Sequence, residues 1–248
     1  MGKTYLARLL AQEIFLQSDS LVRIDMSEFN EKHTVSRLLG SPPGYVGYGE
    51  FNNFTDRIRK NPYSLVLFDE IEKAHPEVFH ILLQVLEDGF LTDGMGRKIN
   101  FKKTILVFTS NLGNDEHLKE LMGFSASSSK NILHRQKKII RQKIEDFLKP
   151  EFLNRLTDII YFNPLDKKAL TQIADIEIKK LENRLRQEKK INVKMDSSAA
   201  KKIAQECVEN GEGARGIRKY IQQNIEEPIA QRIIEGRSRD KLRIAIKN

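Results

Sequence analysis

Short apolar segments alternate along the chain with longer stretches in which apolar residues recur every three or four positions. The first of the longer stretches carries Leu6, Leu10 and Ile14, and this spacing predicts an amphipathic helix. The short segments consist largely of apolar and β-branched residues, which is typical of strands buried in a mostly parallel sheet. These segments are residues 21–26, 65–68, 104–108 and 159–162. The pattern therefore predicts an α/β domain.

The pattern changes near residue 165. Downstream, apolar residues form helical stripes, and short stretches of alternating polarity predict strands. The stripes span residues 170–185, 200–208 and 217–225, and the alternating stretches are residues 191–195 and 242–246. We predict an α/β core over residues 1–164 and a small, mainly helical domain with a minor sheet over residues 165–248.

The composition of the 248-residue chain, with 40% hydrophobic and 31% charged residues, is typical of a globular protein. No stretch approaches the roughly 20 apolar residues of a membrane span, so we expect no membrane partner. The only cysteine, Cys207, cannot form an intrachain disulfide, which favours a reducing compartment. The net charge of +8 is spread over helical stretches such as residues 134–143, which favours solvated helix faces and no nucleic-acid partner.

Gly2, Lys3 and Thr4 match the last three residues of the phosphate-binding loop G-x-x-x-x-G-K-[ST]. In that loop, backbone amides cradle the phosphates, the lysine reaches the outer phosphates and the hydroxyl contacts Mg²⁺. The three residues directly precede a predicted helix, whose N-terminus favours negative charge. The same tripeptide also occurs in ordinary helix starts, so its meaning depends on the rest of the chain.

Polar side chains follow two of the predicted strands. Asp69 and Glu70 come directly after residues 65–68, so we expect both carboxylates at the carboxyl end of a parallel strand, where such sheets bind ligands. In nucleotide hydrolysis, one carboxylate holds Mg²⁺ and another orients or deprotonates water. Asn111 follows residues 104–108 and can position that water. Alternatively, the acidic pair marks a helix start and the asparagine begins a loop.

Two isolated arginines, Arg155 and Arg215, stand at predicted element boundaries. A guanidinium at such a position can stabilise the charge that develops on a transferred phosphoryl group. Each arginine can instead be an ordinary partner in a surface salt bridge, and the sequence pattern leaves both interpretations open.

Long motifs occur along the chain in a fixed order: GSPPGYVGYGE, then LVLFDEIEKAHPEVFHILLQVLEDGFLTDGMGRKINFKKTILVFTSNLG, then KPEFLNRL and GAR. Together they resemble the second ATPase module of the Clp-type AAA+ unfoldases, the family of ClpA, ClpB and ClpC, and are most like ClpC. The resemblance covers nearly the whole chain. It implies a P-loop ATPase core with a parallel sheet, a helical lid and a hexameric ring that binds ATP and Mg²⁺ between subunits.

The resemblance also implies roles for the residues at the phosphate loop and after the second strand. Gly2, Lys3 and Thr4 would bind ATP. Thr4 and Asp69 would hold Mg²⁺, and Glu70 would activate the attacking water. These roles agree with the chemistry that the spacing of the residues suggests.

Further roles follow from the same resemblance. Asn111 would sense the terminal phosphate, Arg155 would reach the ATP of the neighbouring subunit, and Arg215 would act as a second sensor on the lid. Two positions depart from the usual family pattern, because Thr157 replaces a common Asp and Gly216 replaces a common Pro. Neither residue touches phosphate directly, so these departures concern the packing of the lid.

Two segments gain a meaning only from the resemblance. Tyr45 and Val46 would lie in a loop that lines the central pore and grips an extended polypeptide; an aromatic ring provides a large contact area for this. Met122, Gly123 and Phe124 resemble the tripeptide that docks ClpA- and ClpC-like chains onto the ClpP peptidase. The alternatives are a buried turn anchor for the first segment and a plain helix end, terminated by glycine, for the second.

The residues and the resemblance predict an ATP-dependent unfoldase subunit that threads unfolded polypeptide through a ring, as the regulatory ATPase of a Clp protease. The alternatives are a ClpB-like disaggregase without a peptidase, a nucleic-acid-acting AAA+ ATPase and an inactive ring remnant. Both a bacterial cytoplasm and a plastid stroma agree with these features.

Because only the end of a phosphate loop is in the sequence, we expect the 248 residues to be the C-terminal part of a longer unfoldase. Without the remaining loop amides and the strand before them, the chain alone should bind ATP weakly and hydrolyse almost none. Isothermal titration with ATP and Mg²⁺ tests this. A polypeptide that ends in a strand and a GxxxxG turn should restore activity, whereas micromolar binding with steady turnover by the chain alone would contradict the expectation.

Overall fold

The computed structural model describes residues 2–16, 20–40, 54–112, 129–163, 165–189, 191–196, 198–235 and 241–244. These residues form two compact units, one of Gly2–Tyr161 and one that begins at Phe162. Among them, no helix is both long and apolar enough to cross a membrane.

The first unit alternates helices and strands. In chain order its elements are α1 (Lys3–Phe15), β1 (Leu21–Asp25), α2 (Lys32–Leu39), α3 (Phe54–Lys60), β2 (Leu65–Asp69), α4 (Pro76–Asp88), β3 (Phe90–Thr92), β4 (Lys98–Asn100), β5 (Ile105–Phe108) and the helices Ser129–Phe147 and Pro150–Leu153.

The strands β1, β2 and β5 form a parallel sheet with β2 in the centre. In the register of this sheet, Asp25 lies opposite Asp69, and Phe68 lies opposite Phe108. Every residue of β2 is buried, which explains why the strand is apolar up to its last residue, Asp69. The predicted α/β fold class with a parallel sheet is therefore confirmed.

Alternate residues of β2 face different partners. Leu65 and Leu67 pack with Ala7 and Ala11 of α1. Val66 and Phe68 belong to the main core on the other face of the sheet. Because side chains alternate along a strand, the central strand is covered on both faces, and helices lie on both sides of the sheet.

The helix α1 forms where the apolar spacing predicts it, but a different face packs on the sheet. Ala7 and Ala11 are buried, whereas the leucines are partly exposed and Ile14 is 51% exposed. Alanine allows a helix to approach a sheet closely, since its small side chain fills little space. The apolar period therefore identifies the helix and misidentifies the buried face.

Residues 159–162 do not form the fourth strand that the apolar pattern predicts. They pair with no strand of the described residues, and Ile160 is 70% exposed. A strand requires a neighbour with which its backbone can form hydrogen bonds, and local composition carries no information about that neighbour. The prediction of a strand at 159–162 is therefore wrong for the described structure.

A short antiparallel hairpin, β3–β4, is absent from the sequence predictions. Phe90 pairs with Asn100, and Thr92 pairs with Lys98. The turn between the strands contains Gly96 at φ 76°, a conformation that glycine adopts without strain. The two strands are too short to display an alternation of polarity that sequence analysis can recognise.

The second unit is mainly helical, as predicted. Its helices are Lys167–Lys189, Ala199–Glu209, Gly213–Ile221 and Glu227–Ile234, and its strands are β6 (Asn192–Met195) and β7 (Lys241–Ile244). The two strands pair in parallel and form the minor sheet. The buried core contains Leu170, Ile178, Ile203, Ile217 and Ile225.

Gly216 has a packing role in this unit. A Cβ atom at Gly216 would lie 2.5 Å from Cβ of Glu212 and 3.3 Å from Sγ of Cys207. The glycine therefore allows the helix Gly213–Ile221 to pack closely against the helix that carries Cys207. Burial raises the pKa of the Cys207 thiol, which keeps the thiol protonated at neutral pH.

Substitution of Phe152 tests how much the main core contributes to stability. Its ring is buried and packs edge-on against Phe108 at 5.4 Å and against Phe79 at 5.6 Å. Phe152→Ala should lower the free energy of unfolding by about 3–5 kcal/mol, measured by denaturant titration, because it leaves a cavity among these rings. Phe147→Ala removes a more exposed ring and should cost clearly less. Equal losses in the two variants would contradict this view of the core.

Candidate functional site

The carboxyl ends of β1, β2 and β5 lie at one edge of the parallel sheet. Because the strands run in the same direction, the polar residues that end or follow them converge there. Asp25 ends β1, Asp69 ends β2, and Thr109, Ser110 and Asn111 follow β5.

The start of α1 reaches the same edge. The Nζ atom of Lys3 donates a hydrogen bond to Oδ1 of Asn111 at 2.7 Å and another to the backbone carbonyl of Ser110. The hydroxyl of Thr4 donates to the Asp69 carboxylate, with Oγ1 at 3.3 and 3.2 Å from the two oxygens. These contacts join the first residues of the helix to the ends of β2 and β5.

Gly2 is the N-cap residue of α1 and has φ 96°, in the left-handed region that favours glycine. It has no side chain that could cap the amides of the first helical turn. Those amides point out of the helix end and, with the helix dipole, form a local environment that favours an anion.

Asp69 is buried, and groups from three other elements surround its carboxylate. Besides Thr4, the hydroxyl of Thr109 donates a hydrogen bond to Oδ1. Nε and Nη2 of Arg23 lie 3.0 and 2.8 Å from Oδ2. A buried carboxylate requires such partners, since burial without them is costly.

Glu70 has an unusual backbone conformation. Its φ of 58° and ψ of 52° lie in the left-handed region, which costs a non-glycine residue about 1–2 kcal/mol. The backbone amide of Glu70 donates to the hydroxyl of Thr109 at 3.2 Å, and this contact helps to hold the conformation. Strain of this kind clusters at functional sites, where the surrounding structure maintains it.

Asn111 contacts two side chains of opposite charge at the site, Lys3 and Glu70. Its Oδ1 accepts from Lys3, and its Nδ2 donates to Oε1 of Glu70 at 3.2 Å. Its backbone amide donates to Oε1 of Glu72 at 3.0 Å. The amide side chain therefore orients an ammonium group on one side and a carboxylate on the other.

Three residues of this group were not predicted from the sequence: Arg23, Glu72 and Thr109. The signal for Arg23 is a charged side chain within an otherwise apolar segment, and the signal for Thr109 is a hydroxyl directly after a buried strand. Glu72 gives no clear signal, because it follows Asp69 and Glu70 in a run that reads as a helix start. Its Oε2 atom is buried and has no hydrogen-bond partner among the described residues.

Arg23 also contacts the end of its own strand. Its Nη2 atom lies 3.4 Å from Oδ2 of Asp25. The hydroxyl of Ser27 donates to Oδ1 of Asp25 at 2.7 Å, and this hydrogen bond lowers the pKa of the Asp25 carboxyl group. The edge of the sheet therefore carries two neighbouring carboxylates with one guanidinium between them.

The remaining candidate residues lie elsewhere. The guanidinium of Arg155 is half exposed and pairs with Glu87 of α4 at 3.1 Å. Arg215 is exposed on the helix Gly213–Ile221 of the second unit. The candidates Tyr45, Val46, Met122, Gly123 and Phe124 lie outside the described residues.

The group at the sheet edge fits a magnesium–nucleotide complex. The hydroxyl of Thr4 and the carboxylate of Asp69 are oxygen donors within hydrogen-bond distance of each other, and Mg²⁺ prefers such ligands. The ammonium of Lys3 and the N-terminus of α1 suit phosphate oxygens. The carboxylate of Glu70 accepts a hydrogen bond from Asn111. This carboxylate can also accept a proton.

Two family models match the chain. The model described as "AAA domain (Cdc48 subfamily)" matches residues 1–159. The model described as "C-terminal, D2-small domain, of ClpB protein" matches residues 165–246.

Curated relatives include proteins of two Clp types. The chaperone protein ClpB of Lactiplantibacillus plantarum is 49% identical over 246 residues, which cover 99% of this chain and 28% of that protein. The Clp protease ATP-binding subunit ClpC of Staphylococcus saprophyticus is 45% identical over 237 residues, which cover 95% of this chain and 29% of that protein. The chain thus spans less than a third of the length of these relatives.

Solved structures of Hsp104 share the fold. The extended conformation of the Saccharomyces cerevisiae Hsp104:casein complex aligns with a TM-score of 0.82 and 36% identity, over 97% of this chain and 40% of that chain. A closed state of Hsp104 with ATPγS and FITC casein aligns with a TM-score of 0.83 and 37% identity, over 99% of this chain and 42% of that chain.

Proposed function

Because the chain belongs to the AAA domain family of the Cdc48 subfamily and its residues 165–246 match the model of the small domain of ClpB, we propose that it is the ATP-hydrolysing module of a protein unfoldase. One observation carries the proposal: Lys3, Thr4, Asp69, Glu70 and Asn111 form a single hydrogen-bonded group at the carboxyl edge of the sheet, in which Thr109 joins Asp69 to Glu70. This group combines a phosphate-binding helix end, oxygen ligands for a cation and a carboxylate that can act as a base.

Lys3 and the first turn of α1, which follows Gly2, bind the phosphates of ATP in this proposal. The residues that would hold Mg²⁺ are Thr4 and Asp69, and the ion, when bound, neutralises phosphate charge. Arg23, which pairs with Asp69 at 2.8 Å, keeps that carboxylate in place. The lysine is already held toward the site by Asn111, so little reorganisation is needed when phosphate binds.

Glu70 orients the attacking water and accepts its proton, because its carboxylate is the one that Asn111 holds at the open side of the site. Glu70 is partly exposed, unlike the buried strand residues before it. Asn111 itself acts as the first sensor, since the same amide contacts both Lys3 and Glu70.

The two arginines complete the proposal. Arg155 is half exposed, so its guanidinium can exchange Glu87 for a phosphate held by a neighbouring copy in a hexamer. Arg215, exposed on a helix that begins at Gly213, acts as the second sensor. The resemblance to the Clp family supports both roles, and the pairing of Arg155 with Glu87 is the resting arrangement.

The substrate in this proposal is unfolded polypeptide. The Hsp104 structures that share the fold were solved with casein, which supports a protein substrate. Tyr45 and Val46 grip the polypeptide in the central pore. Bacterial relatives of the ClpB and ClpC types favour a bacterial cytoplasm as the site of action over a plastid stroma.

Glu70→Gln should abolish ATP hydrolysis and spare ATP binding, because the amide cannot accept a proton while Lys3 and Thr4 remain. A loss of about 100-fold or more in turnover is expected, typical of removing a general base. The measurements are phosphate release and nucleotide titration in a preparation that hydrolyses ATP. Glu151→Gln, at an exposed position on the helix Pro150–Leu153, is the matched control and should change neither. Turnover near the wild-type rate in Glu70→Gln would remove this residue from the role.

A peptidase partner of the ClpP type is the finer part of the proposal, and relatives of the ClpC type, named as subunits of a Clp protease, favour it. Phe124 belongs to the tripeptide Met122, Gly123 and Phe124 that would dock onto the peptidase. Phe124→Ala should lower stimulation of peptide cleavage far more than it lowers ATP turnover, measured with purified peptidase. Equal loss of both activities would favour a plain helix end at this position.

A further inference from the structure

The turn of the β3–β4 hairpin contacts the chain on both sides of residues 41–53. We call the residues Asp93–Arg97 the hairpin turn. On one side of residues 41–53, α2 ends at Leu39; on the other side, α3 begins at Phe54. Each of these two ends is attached to the hairpin turn by a different kind of interaction.

A backbone hydrogen bond holds the first end. The amide of Gly94 donates to the carbonyl oxygen of Leu39 at 3.0 Å. The next residue, Gly40, has φ 87° and ψ 152°, a conformation that glycine adopts far more readily than other residues. The hydrogen bond attaches the chain to the hairpin turn at this end, and Gly40 permits the backbone conformation that follows it.

Buried charges hold the second end. Nη2 of Arg97 lies 2.9 Å from Oδ1 of Asp56 in α3, and Nε lies 2.6 Å from Oδ2 of Asp93. Both carboxylate side chains are only 1% exposed, whereas that of Arg97 is 30% exposed. One guanidinium therefore joins two buried carboxylates, and its rigid fork allows both contacts at once.

Side-chain hydrogen bonds from Asp93 close the hairpin turn. Oδ1 of Asp93 accepts hydrogen bonds from the backbone amides of Met95 at 2.9 Å and Arg97 at 2.8 Å. The hydrogen bond to Asp93 raises the pKa of the Arg97 guanidinium. A turn closed in this way holds Arg97 in position for Asp56.

The first residue of α3 is also anchored in the core. The ring of Phe54 lies 5.8 Å from that of Phe68 at the end of β2 and 5.5 Å from that of Phe101, which follows β4. Both the turn and the base of the hairpin thus contact α3. This packing makes the start of α3 part of the same body as the hairpin and the central strand.

Along the chain, the hairpin lies between Glu70 and Asn111, two residues of the candidate nucleotide site. It follows α4, which comes shortly after Glu70, and it leads into β5, which is followed by Asn111. Along the chain, residues 71–75 and α4 join Glu70 to the hairpin, and residues 101–104 and β5 join the hairpin to Asn111. The hairpin is therefore placed to pass a shift at Glu70 or Asn111 to the ends of residues 41–53.

We propose that Arg97 is a positioning residue that holds the start of α3, the second end of residues 41–53, on the hairpin turn and so couples ATP hydrolysis to the movement of polypeptide. The proposal rests on the proposed function, in which Tyr45 and Val46 grip the substrate. A loop that pulls on a polypeptide transmits the load to its two ends. If these ends were not attached to the ATPase body, a shift at the nucleotide site would be lost in their movement.

The test compares Arg97→Ala with Arg59→Ala in a preparation that hydrolyses ATP. Arg59 approaches the same Asp56 oxygen, but at 3.5 Å and from a more exposed position, so it is the matched control. Arg97→Ala should keep ATP turnover within about twofold and lower the unfolding of a tagged substrate about tenfold, whereas Arg59→Ala should lower neither measurably. Arg97→Lys, which keeps the charge without the fork, should give an intermediate loss.

Hydrogen–deuterium exchange gives a second readout that does not depend on the grip. In Arg97→Ala, amides in peptides that cover residues 41–53 should exchange at least about threefold faster, with no change in peptides of β2 or α4. Unchanged exchange, or faster exchange over the whole unit, would overturn the proposal. An equal loss of ATP turnover and unfolding would also overturn it, because that result indicates a merely structural role.

Two further variants keep the outcomes distinct. Asp56→Asn preserves the shape of the buried side chain and removes its charge; should Arg97→Ala fail to fold, Asp56→Asn must show the same local exchange change for the proposal to stand. Tyr45→Ala tests the proposed function separately. If unfolding is unchanged in Tyr45→Ala, the grip assignment fails, while the exchange data on Arg97→Ala still decide whether Arg97 holds the start of α3.

Discussion

The buried carboxylate of Asp69 is the interaction on which the α/β unit depends. It ends the fully buried central strand, where a charge is costly unless it is paired. Its partners come from three separate elements: Thr4 from α1, Arg23 from β1 and Thr109 from the end of β5. The pairing of one buried charge therefore links a helix end to both neighbouring strands. The same pairing creates the cation site of the proposed ATPase.

The geometry of the next residues follows from this constraint. With Asp69 held inside, the chain leaves the strand through Glu70 in a left-handed conformation, and Asn111 holds the carboxylate of Glu70 at the open side. The chain then continues into α4 and the β3–β4 hairpin, whose turn contacts both Leu39 and Asp56. Glu70, Arg97 and Asn111 thus lie on one continuous part of the chain that begins at the central strand β2. The proposed chemistry and the proposed coupling both depend on this part.

Packing explains where sequence patterns fail. In α1, the alanines Ala7 and Ala11 contact the sheet, and the leucines that define the apolar period are partly exposed. Residues 159–162 have the composition of a strand but pair with no strand in the described part of the chain. In both cases the local pattern reports which residues are apolar, whereas their environment depends on which partner is present and how closely it can approach.

The sequence by itself determined the α/β class, the presence of a second, mainly helical unit and the positions of Asp69, Glu70 and Asn111 after apolar segments, because these features follow from local periodicity and strand ends. Only the tertiary structure decided that Arg23 and Thr109 join Asp69, that Asn111 lies between Lys3 and Glu70, and that Arg97 reaches Asp56. These contacts join residues from different elements of the chain. Local composition cannot specify them, because they depend on how the elements pack and on the pairing that each buried charge requires.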